Sequence, residues 1–371
     1  KEVHEKMQVR ETSKPVLPDA GLKEVTWVKP ELVAEVKFSE WTDEKSMRHP
    51  RFKGLRKDKK EKEITAETPG IRTGKINTSI ALSNPEKNFW PGKKITKQDV
   101  FNYYASVSGI ILPYLVNRPQ SLYRTPNGIQ SKGFFQKNVE GQVPQWVKTV
   151  KVESSSSDKS NTYFLCQDEK SLLFLINWGC IELNPWNSSL PHLDNPDYVV
   201  FDLDPVDIEF HEVVNVARGI HELFQELDIP FYCKTSGSKG MHVYMPLFPA
   251  YTHKQGQDLA RLIETFVHQR FKATTSFERS PAKRKGKVYL DFLQNGKGKT
   301  MASVYSIRPK EGAMVSTPIE PSELTNELNP ADFNLFTIEK RIARKGDVWE
   351  GLFKNRVNML DILEKLNDIS V

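Results

Sequence analysis

Residues 199–205 read VVFDLDP, an apolar run that ends in two carboxylates. Val199, Val200 and Phe201 are strand formers, so the segment is predicted to be a buried β-strand. Side chains alternate along a strand, which places Asp202 and Asp204 on one face with Cα atoms about 6.5 Å apart. Two like charges at the edge of burial repel each other, and each loses hydration. A shared proton, a basic neighbour or a bound cation is needed to offset that. A third carboxylate, Asp291, lies in another apolar strand, VYLDFL at 288–293. On neighbouring strands, Asp202, Asp204 and Asp291 would form an oxygen-rich site suited to Mg²⁺ or Mn²⁺. Two such cations about 4 Å apart can activate an attacking oxygen and stabilise a leaving one. The opposing reading is that Asp202 and Asp204 cap the next helix while Asp291 faces water.

SGSKG at 236–240 sharpens the choice. Glycines and serines between two strands give a tight turn with exposed backbone N–H groups. With Lys239, such a nest formed by Ser236, Gly237, Ser238 and Lys239 can hold phosphate oxygens; the other reading is an ordinary hairpin. His242 follows on a defined strand face and can donate to a charged oxygen. Arg284 and Lys285 precede Asp291, and Arg308 closes the predicted strand MASVYSIR at 301–308. Arginines there can grip a triphosphate with two parallel bonds. An anion site beside a cation site points to phosphoryl or nucleotidyl chemistry.

Outward from this centre, residues 206–230 show a helical stripe of Val213, Ala217, Ile220, Phe224 and Leu227 that stops before Pro230. FYCKT, SGSKG and MHVYMPL then read as strand–turn–strand. A helix around 255–271 is predicted with Leu259, Leu262, Ile263, Phe266 and Val267 inward. Upstream, Thr96 is an N-cap candidate with Asp99 in the first turn. Residues 119–166 suggest several strands, with a Ser-rich turn at 154–157. SLLFLINWGCIEL at 171–183 is helix or strand by period alone. Residues 331–368 are expected to be mostly helical. Hairpins mixed with a crossover give the class α+β.

The chain has 371 residues, more than one compact domain usually holds, and 38% are hydrophobic. No apolar run approaches a membrane span, and KEVHEKMQVRETSKP lacks the apolar centre of a signal peptide. Three cysteines without a CxxC pair argue against a disulfide framework or a zinc finger and fit a reducing cytosol. The net charge of +6 is concentrated at 51–62 and 283–287, patches that suit a polyanion or solvated loops. Residues 25–41 read as two short strands around Lys29–Pro30. Residues 64–81 are read as a linker, between a first unit at 1–63 and a second at 82–371.

FDLDP, TSGSKGMHVYMPL, KVYLDFLQNGKGKT and ASVYSIRP, in this order, resemble the polymerase domain of bacterial DNA ligase D, within the archaeo-eukaryotic primase superfamily. LSNPEKNFWPGKKITKQDV at 82–100 is similar to the start of that domain, and the resemblance runs to about residue 365. It implies a primase-like fold with antiparallel and mixed sheets around the active site and flanking helices. It also implies nucleotide addition to 3′ ends at DNA gaps and double-strand breaks during non-homologous end joining, with ribonucleotides preferred and Mn²⁺ or Mg²⁺ as cofactor, two per site.

By motif, Asp202, Asp204 and Asp291 would hold the metals. Ser236 would lie near the ribose 2′-hydroxyl, and Lys239, His242, Arg284 and Arg308 would face the NTP or dNTP triphosphate and the reacting strand. Asn84, Lys87 and Lys97 match a pocket for a downstream 5′-phosphate, although the residues alone suggest only surface lysines. Phe134 and Phe135, followed by Lys137, match an aromatic pair beside the template; adjacent aromatics on a strand are usually half core, so one of them is expected to be structural. Asn184, in IELNPWN, stands where many relatives carry His; it can hydrogen-bond a sugar hydroxyl but cannot become charged.

Residues 1–63 resemble the end of the ligase module's OB domain, through LVAEVKFSEW and RHPRFKGLRKDK with Arg56, Asp58 and Lys59. The chain has no KxDG adenylation motif, so nick sealing is not expected, and the partial OB segment would leave exposed strand edges. The chain thus looks like the C-terminal fragment, or a remnant, of a longer ligase followed by a polymerase. The resemblance implies a Ku-like end-binding protein, DNA ends with a 5′-phosphate and the remaining adenylation and phosphoesterase domains as partners, with no membrane. It places the protein in the bacterial cytoplasm at the nucleoid. Two rival readings remain: a DxD phosphohydrolase, which expects strand–DxD–helix on a parallel sheet, and a non-catalytic DNA-end-binding module.

Overall fold

The computed structural model describes residues 2–13, 26–37, 40–41, 47–48, 51–56, 80–153 and 160–369. Most of the predicted linker, the Ser-rich turn at 154–157, and Asp58 and Lys59 lie outside the described residues. The chain divides into two compact units, 1–68 and 69–371.

In the first unit a helix spans Glu2–Gln8 and three antiparallel pairs follow. Glu11–Thr12 pairs with Trp27–Val28, Val33–Lys37 with Arg51–Arg56, and Glu40–Trp41 with Met47–Arg48. Trp27–Val28 and Val33–Lys37 are the two strands read around Lys29–Pro30.

The second unit is built on a sheet of six strands: β1 (Tyr198–Val206), β2 (Tyr232–Thr235), β3 (Met241–Pro246), β4 (Thr275–Ser276), β5 (Lys287–Leu290) and β6 (Pro318–Ile319). Their order is β4-β5-β1-β3-β2-β6, and only the β4–β5 pair is parallel. β1 is therefore central, with antiparallel partners on both sides. That removes the phosphohydrolase reading, which needs the DxD on a parallel strand.

Alternation along β1 assigns its two faces. Val199, Phe201 and Leu203 pack with Val213, Ala217, Ile220 and Phe224 of helix α3 (Phe210–Glu226) and Leu259, Ile263 and Val267 of helix α4 (His253–Arg270). Tyr198 and Val200 point the other way, into a second core shared with α1 (Lys97–Ser106) and α2 (Glu169–Asn177). Asp202 follows them on that face, where the apolar filling gives out. Past the end of β5, the side chain of Asn295 replaces a strand: its amide accepts from Val200 N and donates to Val200 O, each at 2.7 Å.

Several local expectations are met. Thr96 and Asp99 close a reciprocal capping box on α1. SLLFLINWGCIEL resolves into α2 followed by the strand Cys180–Glu182, with Gly179 at φ +84° between them. Strands occur at Pro119–Gln120, Leu122–Arg124, Phe134–Gln136, Thr149–Glu153 and Ser160–Leu165.

Others are corrected. Leu262 is exposed, because the inward stripe of α4 is completed by Ala260 and Glu264 instead. MASVYSIR is not a strand: it runs through turns, with Tyr305 at φ +60° and a lone bridge from Ile307 to Val315. Between 331 and 368 the α-helices are confined to Ile338–Lys345 and Met359–Ile369, joined by turns, so only about half of the segment is helical. No helix among the described residues is long and apolar enough to cross a membrane.

Candidate functional site

β1 delivers Asp202 and Asp204 to the sheet face left open by the second core. Neither caps the next helix, whose N-cap is Glu209. Asp291 is not inside a strand as the apolar run suggested. It ends β5 and caps a short 3₁₀ turn, Phe292–Asn295, accepting from Leu293 N at 3.2 Å. Its own N–H donates to Asp202 O at 3.1 Å, which brings the third acid beside the first.

Asp202 is the most enclosed of the three. Burial first, then the charges of Asp204 and Asp291, push its carboxyl up to about 7. Asp204 is also raised, by burial and Asp291, although Arg284 opposes this with an ion pair at 2.9 Å. The Arg284 guanidinium is itself buried and stacks 3.9 Å over Tyr289. Among the described residues no three acidic, histidine or cysteine side chains close on one point as a ready-made cage. Asp204 leans to Arg284, and Asp291 to its own turn. The three acids still fit a divalent cation: oxygen donors only, crowded, with an uncompensated charge at Asp202.

The SGSKG turn lies against this floor. A Cβ on Gly240 would sit 2.3 Å from Leu203 O, so only glycine lets the turn approach β1 this closely. Gly237 adopts φ +68°, and a Cβ there would strike Arg308 at 2.7 Å. The backbone nest is less open than expected. Ser236 Oγ accepts from Ser238 N and Gly240 N, at 3.2 and 3.1 Å, and Ser236 N donates to Gly240 O. The turn's anion affinity therefore rests more on side chains: exposed Lys239, and the two basic residues that tie the turn down. Arg308 donates to Ser236 O at 2.7 Å and pairs with Glu182 at 2.7 Å. Lys310 donates to Ser238 Oγ at 2.7 Å, and its carbonyl accepts from Trp90 Nε1.

His242 is buried. Its Nε2 faces Asp202 Oδ1 at 3.5 Å, and its Nδ1 lies 2.6 Å from Lys234 Nζ. Asn184 is buried, and its Nδ2 finds no hydrogen-bond partner among the described residues.

Away from the acids, Asn84, Lys87 and Lys97 come together on the opening segment. Lys87 N donates to Asn84 O and Lys97 N to Lys87 O. Lys97 is not a surface lysine: it is 5% exposed. Its ammonium donates to Ser83 O, Ser83 Oγ and Asn177 Oδ1 at 2.9, 3.1 and 2.8 Å. Among the described residues no carboxylate balances it, and burial together with Lys87 lowers it to about 8. Phe134 and Phe135 are both exposed, at 46 and 64%, so neither is the structural half of a pair. Arg124 lies 5.3 Å over Phe134, Tyr123 packs on Phe135, and Lys137 is exposed at the end of their strand.

Residues 96–349 match the family described as "LigD, primase-polymerase domain". The chain belongs to the LigD primase-polymerase family. Residues 1–59 match "ATP dependent DNA ligase C terminal region". The chain is 29% identical over 333 residues to the "Multifunctional non-homologous end joining protein LigD" of Pseudomonas aeruginosa, covering 86% of this chain and 39% of that protein. It is 31% identical over 283 residues to the "Bifunctional non-homologous end joining protein LigD" of Bacillus subtilis, covering 76% of this chain and 45% of that one. The chain thus spans less than half the length of these relatives. The solved "Polymerase Domain from Mycobacterium tuberculosis Ligase D in complex with DNA" superposes with a TM-score of 0.69 at 28% identity, over 76% of this chain and all of that one. A LigD primase-polymerase domain is a nucleotidyltransferase that works with a divalent metal and nucleoside triphosphates.

Sequence reasoning missed three buried charged residues around the site, Lys234, Glu182 and Glu264, and one exposed lysine, Lys310. Lys234 in FYCKT and Glu182 in CIEL could have been flagged as charges within apolar strand runs. Glu264 occupies an inward position of α4, and burial, then Asp291 and Asp202, hold its carboxyl well above the usual range. Lys310 carried no such signal, because it lies in an irregular turn.

Proposed function

We propose that this chain adds nucleotides to 3′ ends at DNA gaps and double-strand breaks in non-homologous end joining, with ribonucleotides preferred. The observation that carries this reading is the meeting of Asp202, Asp204 and Asp291 beside a turn strapped by Arg308 and Lys310. A binding-only module has no use for a buried carboxylate held up to about 7. Asp202, Asp204 and Asp291 would hold Mg²⁺ or Mn²⁺, two per site. Bound there, the metal would supply charge neutralisation for the reacting oxygens.

The chain's own groups do the rest. Lys239, Lys310 and Arg308 hold the triphosphate, with Ser236, Gly237 and Ser238 forming the turn beside it. Arg284 leaves Asp204 for phosphate oxygens, and His242 presents Nε2 to the reacting side. The primer 3′-hydroxyl attacks the α-phosphate and pyrophosphate departs. Asn184, with its unpartnered Nδ2, and Ser236 contact the sugar hydroxyls. Asn84, Lys87 and Lys97 take the downstream 5′-phosphate, and Phe134, Phe135 and Lys137 support the template strand by stacking and charge.

Residues 1–63 form the C-terminal part of a ligase OB domain in this proposal, 64–81 a linker and 82–371 the polymerase unit. The partners are DNA ends with a 5′-phosphate, a Ku-like end-binding protein and the adenylation and phosphoesterase domains of a ligase, in the bacterial cytoplasm at the nucleoid.

The test is primer extension on a gapped duplex with a downstream 5′-phosphate, with Mn²⁺ or Mg²⁺ and either sugar. Templated, metal-dependent extension lost in Asp202→Ala supports the reading. DNA binding without extension would replace it with an end-binding role.

A further inference from the structure

The register of the central sheet aligns three side chains that the motifs do not link. Asp202 of β1 pairs with His242 of β3, and His242 pairs with Lys234 of β2. The three lie in one row across one face. Lys234 is completely buried on a strand, an expensive place for an ammonium, so its contacts carry information. It has two close polar partners: Ser316 Oγ at 2.7 Å and His242 Nδ1 at 2.6 Å.

The hydrogens along this row can be assigned by elimination. The Ser316 hydroxyl donates to Thr235 O at 2.9 Å, so its oxygen accepts from Lys234. Lys234 has hydrogens for both partners whether it is an ammonium with three or an amine with two. If His242 carried its proton on Nδ1, Nε2 would be bare and would aim a lone pair at Asp202 Oδ1, 3.5 Å away. If Lys234 donates to Nδ1, the ring proton sits on Nε2 and points to the carboxylate side. With an ionised Asp202 accepting and Lys234 donating, only the second arrangement opposes a donor to an acceptor at both ring nitrogens.

We propose that Lys234 is the positioning residue of His242: it occupies Nδ1, locks the imidazole in the Nε2–H tautomer and so aims a hydrogen-bond donor at the reaction centre. This rests on the reading of the site given above only for what the donor then serves, namely the nucleotide's phosphate oxygens. Ser316 in turn fixes Lys234. Its hydroxyl is anchored on the β2 strand end, so the amino group cannot rotate away without leaving a buried oxygen unpaired.

The experiment uses the full chain with ¹⁵N-labelled histidine, the His242 signals being assigned by their loss in His242→Gln. Near neutral pH the wild type is expected to show a protonated Nε2 and a bare Nδ1. Lys234→Met, which keeps the chain length and removes the donor, should yield a mixture or the opposite tautomer. Its kcat for nucleotide addition should fall roughly tenfold or more with little change in nucleotide KM, because a donor aimed at phosphate oxygens counts most where charge develops on them in the transition state. Ser316→Ala should keep the wild-type tautomer, since the Lys234 donor to Nδ1 survives. A wild-type ring protonated on Nδ1 overturns the proposal, as does a folded Lys234→Met protein with unchanged tautomer and kcat. If Lys234→Met does not fold, the wild-type spectrum alone decides. The tautomer is read without catalysis, so a chain that shows the expected ring but no extension counts against the polymerase reading and for this inference.

Discussion

The floor of the sheet and the Lys97 pocket bury charge in opposite ways. At the floor, three carboxylates crowd together, and burial with the charges of Asp204 and Asp291 holds Asp202 up to about 7. In the pocket, one ammonium is surrounded by neutral oxygens of Ser83 and Asn177 and is lowered to about 8. Each place binds the hydrogen-bonding capacity of its charge but leaves the charge itself unanswered. The signs are complementary to what the proposed function asks of the two places: cations at one, a phosphate at the other. Structural ion pairs of this molecule look different. Arg118 and Arg356 both close on Asp197, at 2.8 and 3.0 Å, so the buried carboxylate is met by opposite charge at both oxygens.

The sharpest way to break the comparison is to neutralise the floor. Asp202→Ala and Asp291→Ala are each expected to lower extension on the order of 10³-fold, roughly 4 kcal/mol of barrier, with DNA binding retained. Gel-resolved extension and a binding titration on the same protein check this.

The second test asks whether the floor is strained. A carboxyl raised from 3.8 to about 7 binds its proton more tightly when folded. The stability that this carboxyl contributes is therefore full below about pH 4 and is lost as pH rises to about 7. Above that, metal-free Asp202→Asn should be more stable than wild type, by on the order of 2 kcal/mol. Thermal melts at pH 5 and pH 8 should show a clearly larger gain at pH 8 than at pH 5, and added Mn²⁺ should raise the wild-type melting temperature more than the variant's.

The pocket is probed by comparing ends that carry a 5′-phosphate or a 5′-hydroxyl. Lys97→Met should reduce that discrimination about tenfold, the loss of one charged hydrogen-bond set. In the wild type, Lys97 is cationic below its lowered value and neutral above it, so discrimination should fade as pH rises through about 8. A flat profile between pH 7 and 9 would detach Lys97 from phosphate recognition. The smallest effect is expected at the aromatic strand: Phe135→Ala should weaken binding of a single-stranded overhang by about 1 kcal/mol and leave blunt ends unchanged.

What the residues alone revealed follows from how local each signal is. The β1 strand, the α3 stripe and the SGSKG hairpin were legible because period, length and turn chemistry all agree within a few residues. Asp291 was misplaced inside a strand because VYLDFL carries no mark of where pairing with β1 stops. MASVYSIR reads as a strand by composition, yet its partners are turns, and its job is to carry Arg308 and Lys310 to the SGSKG loop. Lys97 looked like solvent-facing charge because its shell comes from Ser83 and from Asn177, eighty residues away in the chain. The Lys234–His242–Asp202 row needs the register of three strands, which no single segment contains.

Asn295 carries one more consequence. It is followed by Gly296, and an unhindered glycine nitrogen readily attacks a neighbouring amide, turning asparagine into aspartate as a protein ages. Here that amide is pinned between the N–H and C=O of Val200, out of the geometry the attack needs. The native fold therefore works as a preservative for its own aspartate strand. Chains held partly unfolded should accumulate a deamidated 295–296 peptide by mass spectrometry, and each one would return a carboxylate to a slot that requires a donor. Damage of this kind would be silent in the folded enzyme and would show itself at the next attempt to refold.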